Sequence, residues 1–225
     1  MLVKNWMTKN VITVDVDDSM HGATKLLKEN DIRILPVMDK GKLVGILTDG
    51  DLKKASASDA NTLEIHELFY LLSEIKVKEI MTKKPIIVPL DFTVEETADI
   101  LLQNKIPGVP VVDDDGRVKG IITESDIFRM MVSLSDISGK GFQFGLQLED
   151  RPGSIKEICD IIRKYDGCIT SILSTDEGAA KGFRKVYIRL YGVERNIIPQ
   201  FKDELQKKAT LAYMVDFGEN TREIY

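Results

Sequence analysis

The sequence has few of the side chains that hold metals, form disulfides or attack substrates. It contains two histidines and two cysteines in 225 residues, and neither histidine stands at a ligand-like spacing from a cysteine or a carboxylate, which argues against a zinc site. No Ser/His/Asp set and no nucleophilic cysteine context is recognisable, so we predict that the protein is not an enzyme. Free thiols at Cys159 and Cys168 suit a reducing compartment better than a disulfide would.

Long apolar runs and an excess of basic charge are also missing. No run approaches the roughly 20 residues of a membrane span, and the polar start at residues 1–10 has no signal-peptide core. The net charge is −5, with the basic residues scattered along the chain. We therefore expect a cytoplasmic protein with no nucleic-acid or membrane partner.

The first 135 residues contain two copies of one unit. Short stretches of the first copy are repeated 74 residues later in the chain. Beyond the Asp/Gly turn the spacing is 75 residues, because that turn has one more residue in the second copy. The repeated stretches are Met7-Thr8 with Met81-Thr82, Pro36-Val37 with Pro110-Val111, and Gly45–Thr48 with Gly120–Thr123. Two copies of a half-domain predict a pseudo-twofold body with a ligand-binding cleft between its halves.

Each copy is predicted to fold as β-α-β-β-α. A short β-rich run precedes a helix opened by an N-cap residue, Ser19 in one copy and Thr93 in the other. Two strands around an Asp/Gly turn then lead to a last helix. The predicted strands are Val11–Val14, Leu35–Met38 and Leu43–Thr48, then Ile86–Val88, Val109–Val112 and Val118–Thr123, and the last helices begin at Asp49 and Glu124. We expect a three-stranded sheet with two helices on one face in each copy.

A change of pattern after residue 133 indicates a separate last domain. Its elements are expected in the order β-α-β-β-α-β, the ferredoxin-like arrangement, so the fold class of the whole chain is a mixed α/β (α+β). The predicted elements are the strand Phe142–Leu148, the helix Ser154–Tyr165, the strands Cys168–Thr175 and Arg184–Tyr191, the helix Asn196–Lys207 and the strand Thr210–Phe217. The predicted divisions are 1–57 and 77–135 for the two copies, 58–76 for an amphipathic linker helix that follows a polar loop at Ser56–Asn61, 136–140 for a linker and 141–225 for the last domain.

The motif G-x-x-T-x-x-D occurs once in each copy, where a strand passes into a helix. A threonine at a helix N-terminus can hold a phosphate together with backbone amides. An aspartate one turn later can accept both hydroxyls of a ribose. The same pattern also caps a helix without any ligand, so both interpretations stay open. The motif residues are Gly45, Thr48 and Asp51, and Gly120, Thr123 and Asp126.

Charged residues surround the motif in both copies. Lys54 and Arg129 follow the aspartates by three positions, so they share the same helix face and either reach a phosphate tail or form a surface ion pair. Asp49 and Glu124 follow the threonines directly. If they point inward they repel a polyphosphate, and if they are solvated they favour the helix dipole.

An adenine ring would need an apolar slot beside these motifs. Ile34-Leu35-Pro36 and Gly108-Val109-Pro110 enter the middle strands at equivalent places. Because Gly108 leaves room where Ile34 fills it, we predict that the two pockets are unequal.

Residues 1 to about 135 resemble a CBS-domain pair, or Bateman module, on the repeated Met-Thr pairs, the proline-containing strands and both motifs. The resemblance implies a non-catalytic sensor that binds AMP, ADP, ATP, S-adenosylmethionine or NAD in the cleft, and a homodimer or higher homo-oligomer. The residues it implies are Asp51 and Asp126 for ribose, Thr48 and Thr123 for phosphate or ribose, Ile12, Thr13, Ile34, Pro36, Ile86, Gly108, Val109 and Pro110 around adenine, with Lys54 and Arg129 nearby.

Residues 141 to about 218 resemble an ACT domain, because Asp150-Arg151-Pro152-Gly153 follows an alternating strand. The resemblance implies amino-acid binding at a dimer interface, with Asp150, Pro152, Gly153 and Ser154 at the site. Pro-Gly before a helix can form an anion nest, or it can simply turn the chain. A CBS pair followed by an ACT domain is similar to the acetoin-utilisation regulatory proteins. The alternative function is an oligomerisation or interaction scaffold with vestigial pockets.

Overall fold

The computed structural model describes residues 1–59, 74–135 and 139–225. These residues form two compact units, Met1–Met130 and Met131–Tyr225. The predicted linker helix lies outside the described residues from 60 to 73, as do residues 136–138 of the predicted linker.

The first unit contains both copies of the repeat. Its elements are β1 (Val14–Asp15), α1 (Met20–Glu29), β2 (Ile34–Asp39), β3 (Lys42–Thr48), α2 (Asp49–Asp59), α3 (Val77–Ile80), β4 (Thr82–Lys83), β5 (Val88–Pro89), α4 (Val94–Asn104), β6 (Gly108–Val112), β7 (Val118–Thr123) and α5 (Glu124–Leu134), which runs four residues past the unit boundary. The strands form two sheets, β1-β2-β3-β4 and β5-β6-β7. In each sheet the first pair is parallel and the next pair is antiparallel.

The central hairpins explain the shift of the repeat from 74 to 75 residues. In the β2–β3 hairpin Asp39 pairs with Lys42, and the turn residues Lys40 and Gly41 both have positive φ, 48° and 79°, as a two-residue hairpin requires. The β6–β7 turn is longer, and the backbone amide of Arg117 donates to the Asp113 carboxylate at 2.9 Å. The helices α2 and α5 begin where the sequence predicts them, and the strands of the hairpins begin within one residue of the predicted positions.

The leading segments of the two copies are exchanged. The Val3 amide donates to the Phe92 carbonyl at 2.8 Å, so the first residues of the chain join the second copy. The Val77 amide donates to the Asp18 carbonyl at 2.9 Å, and β4 pairs with β3, so the start of the second copy joins the first. The predicted three-stranded sheet of the first copy is therefore a four-stranded one, and the copies along the sequence do not coincide with the folded halves.

The exchange explains why methionine and glycine are both repeated. A Cβ on Gly45 would lie 2.5 Å from Met81 Sδ. A Cβ on Gly120 would collide with the Met7 sulfur in the same way and would lie 3.0 Å from the Thr8 carbonyl oxygen. Glycine at these positions thus makes room for the exchanged segment.

The first strand of each copy and the end of α2 differ from the prediction, and most other boundaries differ by one or two residues. β1 and β5 are two residues each, later and shorter than predicted, because only Val14 and Asp15, and Val88 and Pro89, pair with the middle strands. The predicted polar loop from Ser56 is wrong up to residue 59, since α2 continues to Asp59. The Ala-Ser-Ala-Ser stretch contains no glycine or proline that would end a helix.

Each half of the first unit has its own aliphatic core. Met20, Leu35 and Leu47 are among the fully buried residues of the first half, and Leu101 and Ile122 among those of the second. Both predicted N-caps are present, since Ser19 Oγ accepts from the Gly22 amide at 3.1 Å and Thr93 Oγ1 accepts from the Glu96 amide at 3.1 Å. The caps and cores hold the two sheets in place on either side of the cleft.

The second unit is one antiparallel sheet with two helices. Its elements are β8 (Phe142–Glu149), α6 (Ser154–Lys164), β9 (Cys168–Thr175), β10 (Phe183–Tyr191), α7 (Ile198–Gln206), β11 (Thr210–Asp216) and β12 (Thr221–Ile224). The strand order is β12-β11-β8-β10-β9. The core is aromatic and aliphatic, with Phe144 against Phe201 at 5.4 Å between ring centroids. β12 was not predicted, because its four residues are exposed and carry no pattern of burial.

Candidate functional site

A cavity of about 410 Å³ lies between the two copies of the repeat. Both copies contribute to its wall, the first through the residues before β1 and β2 and the second through the junction of β7 and α5. The lining residues are Thr8, Asn10, Val11, Ile12, Asp31, Ile32, Arg33, Ile34, Pro107, Ile121, Thr123, Glu124, Ser125 and Asp126. Its size is within the range of small-molecule sites.

The Thr123–Asp126 junction is the most buried polar feature of this cavity. Asp126 is 4% exposed, and its Oδ2 accepts hydrogen bonds from the Thr123 amide and from Thr123 Oγ1, both at 2.8 Å. Its Oδ1 accepts from Arg129 and, at 3.4 Å, from Thr8 Oγ1. The carboxylate is thus held in place on all sides, and a ribose hydroxyl would have to replace the guanidinium.

The Thr48–Asp51 junction has the same internal geometry. Asp51 Oδ2 accepts from the Thr48 amide at 2.9 Å and from Thr48 Oγ1 at 2.7 Å. Neither residue lines the 410 Å³ cavity. Lys54 is exposed, and the neighbouring Lys53 forms an ion pair with Asp49 at 2.6 Å. Both motifs therefore cap their helices, as one of the two sequence interpretations requires.

Four of the predicted binding residues line the cavity, namely Ile12, Ile34, Thr123 and Asp126. Arg129 is adjacent through its ion pair with Asp126. The other predicted residues are placed elsewhere: Pro36, Gly108, Val109 and Pro110 are buried in the middle strands, while Thr13 and Ile86 are exposed before β1 and β5. The space at Gly108 is occupied by Ile34, whose Cδ1 would lie 2.7 Å from a Cβ there.

Thr8, Asp31 and Arg33 line the cavity but were not among the predicted binding residues, although Thr8 belongs to the repeated Met-Thr pair. Thr8 reaches the cavity only because the leading segment crosses to the second copy. Asp31 and Arg33 lie in the turn between α1 and β2, where Asp31 adopts a positive φ of 50°. A search that paired every motif in one copy with the turn before the middle strand in the other would have found Asp31 and Arg33.

The Asp150–Ser154 turn of the second unit lies between β8 and α6. Gly153 has φ of 90°, and the Ser154 amide and Oγ both donate to the Arg151 carbonyl, at 3.3 and 3.1 Å. Asp150 Oδ1 is 3.6 Å from Arg184 Nε. Arg151 pairs with Glu149 and Glu157. The turn is thus closed by its own hydrogen bonds.

No metal-like cluster of three His, Cys, Asp or Glu residues occurs in the described part of the chain. Cys159 and Cys168 are not joined in a disulfide. Burial, with the nearby charge of Asp160, raises the pKa of the Cys159 thiol, so that this thiol stays protonated at neutral pH. Among the helices within the described ranges, none is long and apolar enough to cross a membrane.

The fold and the cavity define a pseudo-symmetric α/β pair with a small-molecule cleft between its halves. The chain belongs to the CBS domain family, which matches residues 3–58 and 77–133. The predicted CBS pair is therefore confirmed.

Similar proteins match over about three fifths of the chain. A CBS domain-containing protein of Dictyostelium discoideum is 33% identical over 135 residues, which are 60% of this chain and 93% of that protein. The crystal structure of the CBS domain pair of protein MJ0100 with 5′-methylthioadenosine and S-adenosyl-L-methionine has a TM-score of 0.51 and 36% identity, and covers 59% of this chain and 97% of that one. The crystal structure of CBSX2 with AMP has a TM-score of 0.50 and 30% identity, and the match covers 59% of this chain and 96% of that one.

Proposed function

We propose that the protein is a non-catalytic regulatory sensor that binds an adenosine-containing ligand in the cavity between its CBS repeats. The observation that carries this proposal is the wall of the cavity, where Thr123 and Asp126 of one copy face Ile12 and Ile34 of the other. Such a wall combines apolar surface with a few fixed polar groups, as ligand sites do. The MJ0100 pair and CBSX2, which bind adenosine compounds, support the class of ligand.

The residues around the cavity suggest how such a ligand is held. Ile12, Ile34 and Ile121 offer apolar surface for an adenine ring. Asp126 can accept both ribose hydroxyls once Arg129 gives up its place on Oδ1. Because the ligand touches both copies, its binding favours one arrangement of the halves, and this preference is the coupling a regulator needs.

The test is ligand binding to Asp126 variants. AMP, ADP, ATP, NAD, S-adenosylmethionine and 5′-methylthioadenosine are screened by thermal shift, and the best ligand is measured by calorimetry. We expect Asp126→Ala to weaken binding by roughly 10–100-fold, since a charge-assisted hydrogen-bond pair is lost. Asp114→Ala, in the exposed β6–β7 turn, is the control and should bind as the unaltered protein does. Unchanged affinity in Asp126→Ala would contradict the proposed ribose contact.

For the second unit we propose an ACT domain that binds an amino acid and forms a homodimer. The β-α-β-β-α-β order of Phe142–Asp216 supports this assignment, and so does the positive φ of Gly153. The twenty amino acids are screened by thermal shift, and the mass in solution is measured by ultracentrifugation. A monomer that no amino acid stabilises would contradict this part of the proposal. The cytoplasmic location stays a prediction.

A scaffold with vestigial pockets is the second candidate function. It is favoured by the completed hydrogen bonding of Asp126, which needs no ligand, and by an exposed apolar stripe on α5 formed by Phe128, Met131 and Val132. The screen separates the two functions, because a ligand present at 100 times its Kd adds about 2.7 kcal/mol of stability. A melting temperature that no adenosine compound raises would support the scaffold.

A further inference from the structure

The charged residues that line the CBS cavity are mostly acidic. Among the residues that the structure describes, Asp31, Glu124 and Asp126 line it, against Arg33 as the one lining base. Arg129 neutralises Asp126 through their ion pair. With Arg33 and Arg129 both counted against the three carboxylates, the cavity keeps one net negative charge, whether or not Arg129 stays on Asp126.

This acidity is specific to the cavity and is not a property of the fold. Asp31 and Lys105 occupy equivalent positions after α1 and α4, with φ of 50° and 53°. Asn10 likewise corresponds to Lys84, 74 residues later. The equivalent positions of the repeat thus carry lysines where the cavity carries Asp31 and Asn10.

Glu124 also differs from its counterpart. Asp49 is paired with Lys53, four residues later in the same helix, at 2.6 Å. The residue four positions after Glu124 is Phe128, which cannot neutralise a carboxylate. The carboxylate of Glu124, which is exposed, therefore adds its negative charge to the lining of the cavity.

The start of α5 has few amides left for a phosphate. The Thr123 amide donates to Asp126 Oδ2 at 2.8 Å, the Glu124 amide to the Pro107 carbonyl at 3.1 Å, and the Asp126 amide to Thr123 Oγ1 at 3.4 Å. Helix N-termini bind phosphate through such donors. Here three of them are engaged within the protein, so the attraction for an anion is reduced.

From these observations we infer that the cavity selects adenosine derivatives whose 5′ substituent is uncharged or cationic, and that it discriminates against nucleoside polyphosphates. The inference rests on the proposed function. Asp126 and Glu124 line the same cavity, so a ribose held by Asp126 places its 5′ substituent in a space whose lining includes Glu124. A triphosphate there carries about four negative charges toward an acidic wall, and like charges at close range weaken binding.

The test compares 5′-methylthioadenosine with ATP by calorimetry on the full chain. The measurements are made in an Asp51→Asn background, so that the other junction does not contribute. We expect 5′-methylthioadenosine to bind at least about tenfold more tightly than ATP. Glu124→Gln and Asp31→Asn should each raise the affinity for ATP relative to that for 5′-methylthioadenosine by about three- to tenfold, and the gain should shrink at high salt. Asparagine tolerates the positive φ of position 31.

Asp114→Asn, which removes an exposed charge away from the cavity, is the control and should leave both affinities unchanged. The inference is overturned if ATP binds as tightly as 5′-methylthioadenosine at a site that Asp126→Ala abolishes. It is also overturned if Glu124→Gln and Asp31→Asn leave the affinity ratio unaltered, and in both cases the proposed sensor function stands. Failure of the unaltered protein to bind either compound overturns the proposed function itself.

Discussion

Individual side chains in this protein serve local structure first. Asp126 and Asp51 close hydrogen-bonded caps with Thr123 and Thr48, and the capping geometry was one of the two interpretations that the motif allowed. The motif itself could be read from the sequence because it spans only one helical turn. Whether a cavity lies beside it could not be read, since the opposite wall comes from residues about 90 to 115 positions away, at Ile12 and Ile34.

The glycine–methionine contacts offer a test at the same scale. In Gly120→Ala the new methyl group meets Met7 and the Thr8 carbonyl, so we expect a loss of about 1–2 kcal/mol of unfolding free energy. In combination with Met7→Ala the cost should be less than the sum of the two single changes, by about 0.5–2 kcal/mol. Urea unfolding of the four proteins of the cycle measures this coupling.

Gly50→Ala is the matched control, because a Cβ at this position of α2 meets only Thr48 Oγ1 at 3.5 Å. It should be neutral or stabilising by up to about 1 kcal/mol, since alanine favours a helix over glycine. Strict additivity of Gly120→Ala and Met7→Ala would show that the two residues do not act through this contact.

At the scale of secondary-structure elements, the features set by local sequence patterns were predicted better than the features set by strand pairing. The hairpins β2–β3 and β6–β7 and the helices α2 and α5 begin where turn residues and caps indicate. The short strands β1 and β5 and the added strand β12 were misjudged, because their extent depends on partner strands rather than on their own residues.

The end of β11 illustrates an element held by a long-range ion pair. Asp216 is 5% exposed, accepts from Arg195 Nε at 2.8 Å, and also accepts from the Gly218 amide at 2.7 Å. Its hydrogen bond with Arg195 is the largest cause that lowers the pKa of Asp216 below its ordinary value of 3.8. A carboxyl group with a lowered pKa stabilises the folded state above the unfolded pKa, and this contribution is lost as the pH falls through the folded one.

We therefore expect Asp216→Asn to destabilise the protein by about 1–3 kcal/mol at neutral pH. The difference from the unaltered protein should shrink as the pH falls below about 4. Thermal unfolding across the acid range measures it, with the exposed Asp203→Asn as control. A difference that is constant with pH would mean that the ionised carboxylate is not what stabilises this turn.

At the scale of the whole molecule, the exchange of leading segments ties the two CBS repeats together. Val3 and Val77 are equivalent residues, and both are 0% exposed. Val3 packs in the core formed by the second copy, and Val77 packs in the core formed by the first. We expect Val3→Ala and Val77→Ala to cost about 1–3 kcal/mol each. The two substitutions should differ in where they act.

Hydrogen exchange can locate the effect. Val3→Ala should speed amide exchange in β6 and β7 more than in β2 and β3, and Val77→Ala should do the reverse, because local opening follows the element that lost its packing. Each variant serves as the control for the other. The exchanged arrangement would be contradicted if Val3→Ala sped amide exchange mainly in β2 and β3, or if Val77→Ala did so mainly in β6 and β7.

The amino-acid sequence by itself determined the duplication, the hairpin turns, the helix starts and the capping motifs. These features depend on contacts within a few residues, and turn and capping chemistry records them directly. Only the tertiary structure decided which half each leading segment joins and which residues line the cavity. It also decided that Asp31 and Glu124 line one cavity, because these outcomes depend on packing between residues far apart in the chain.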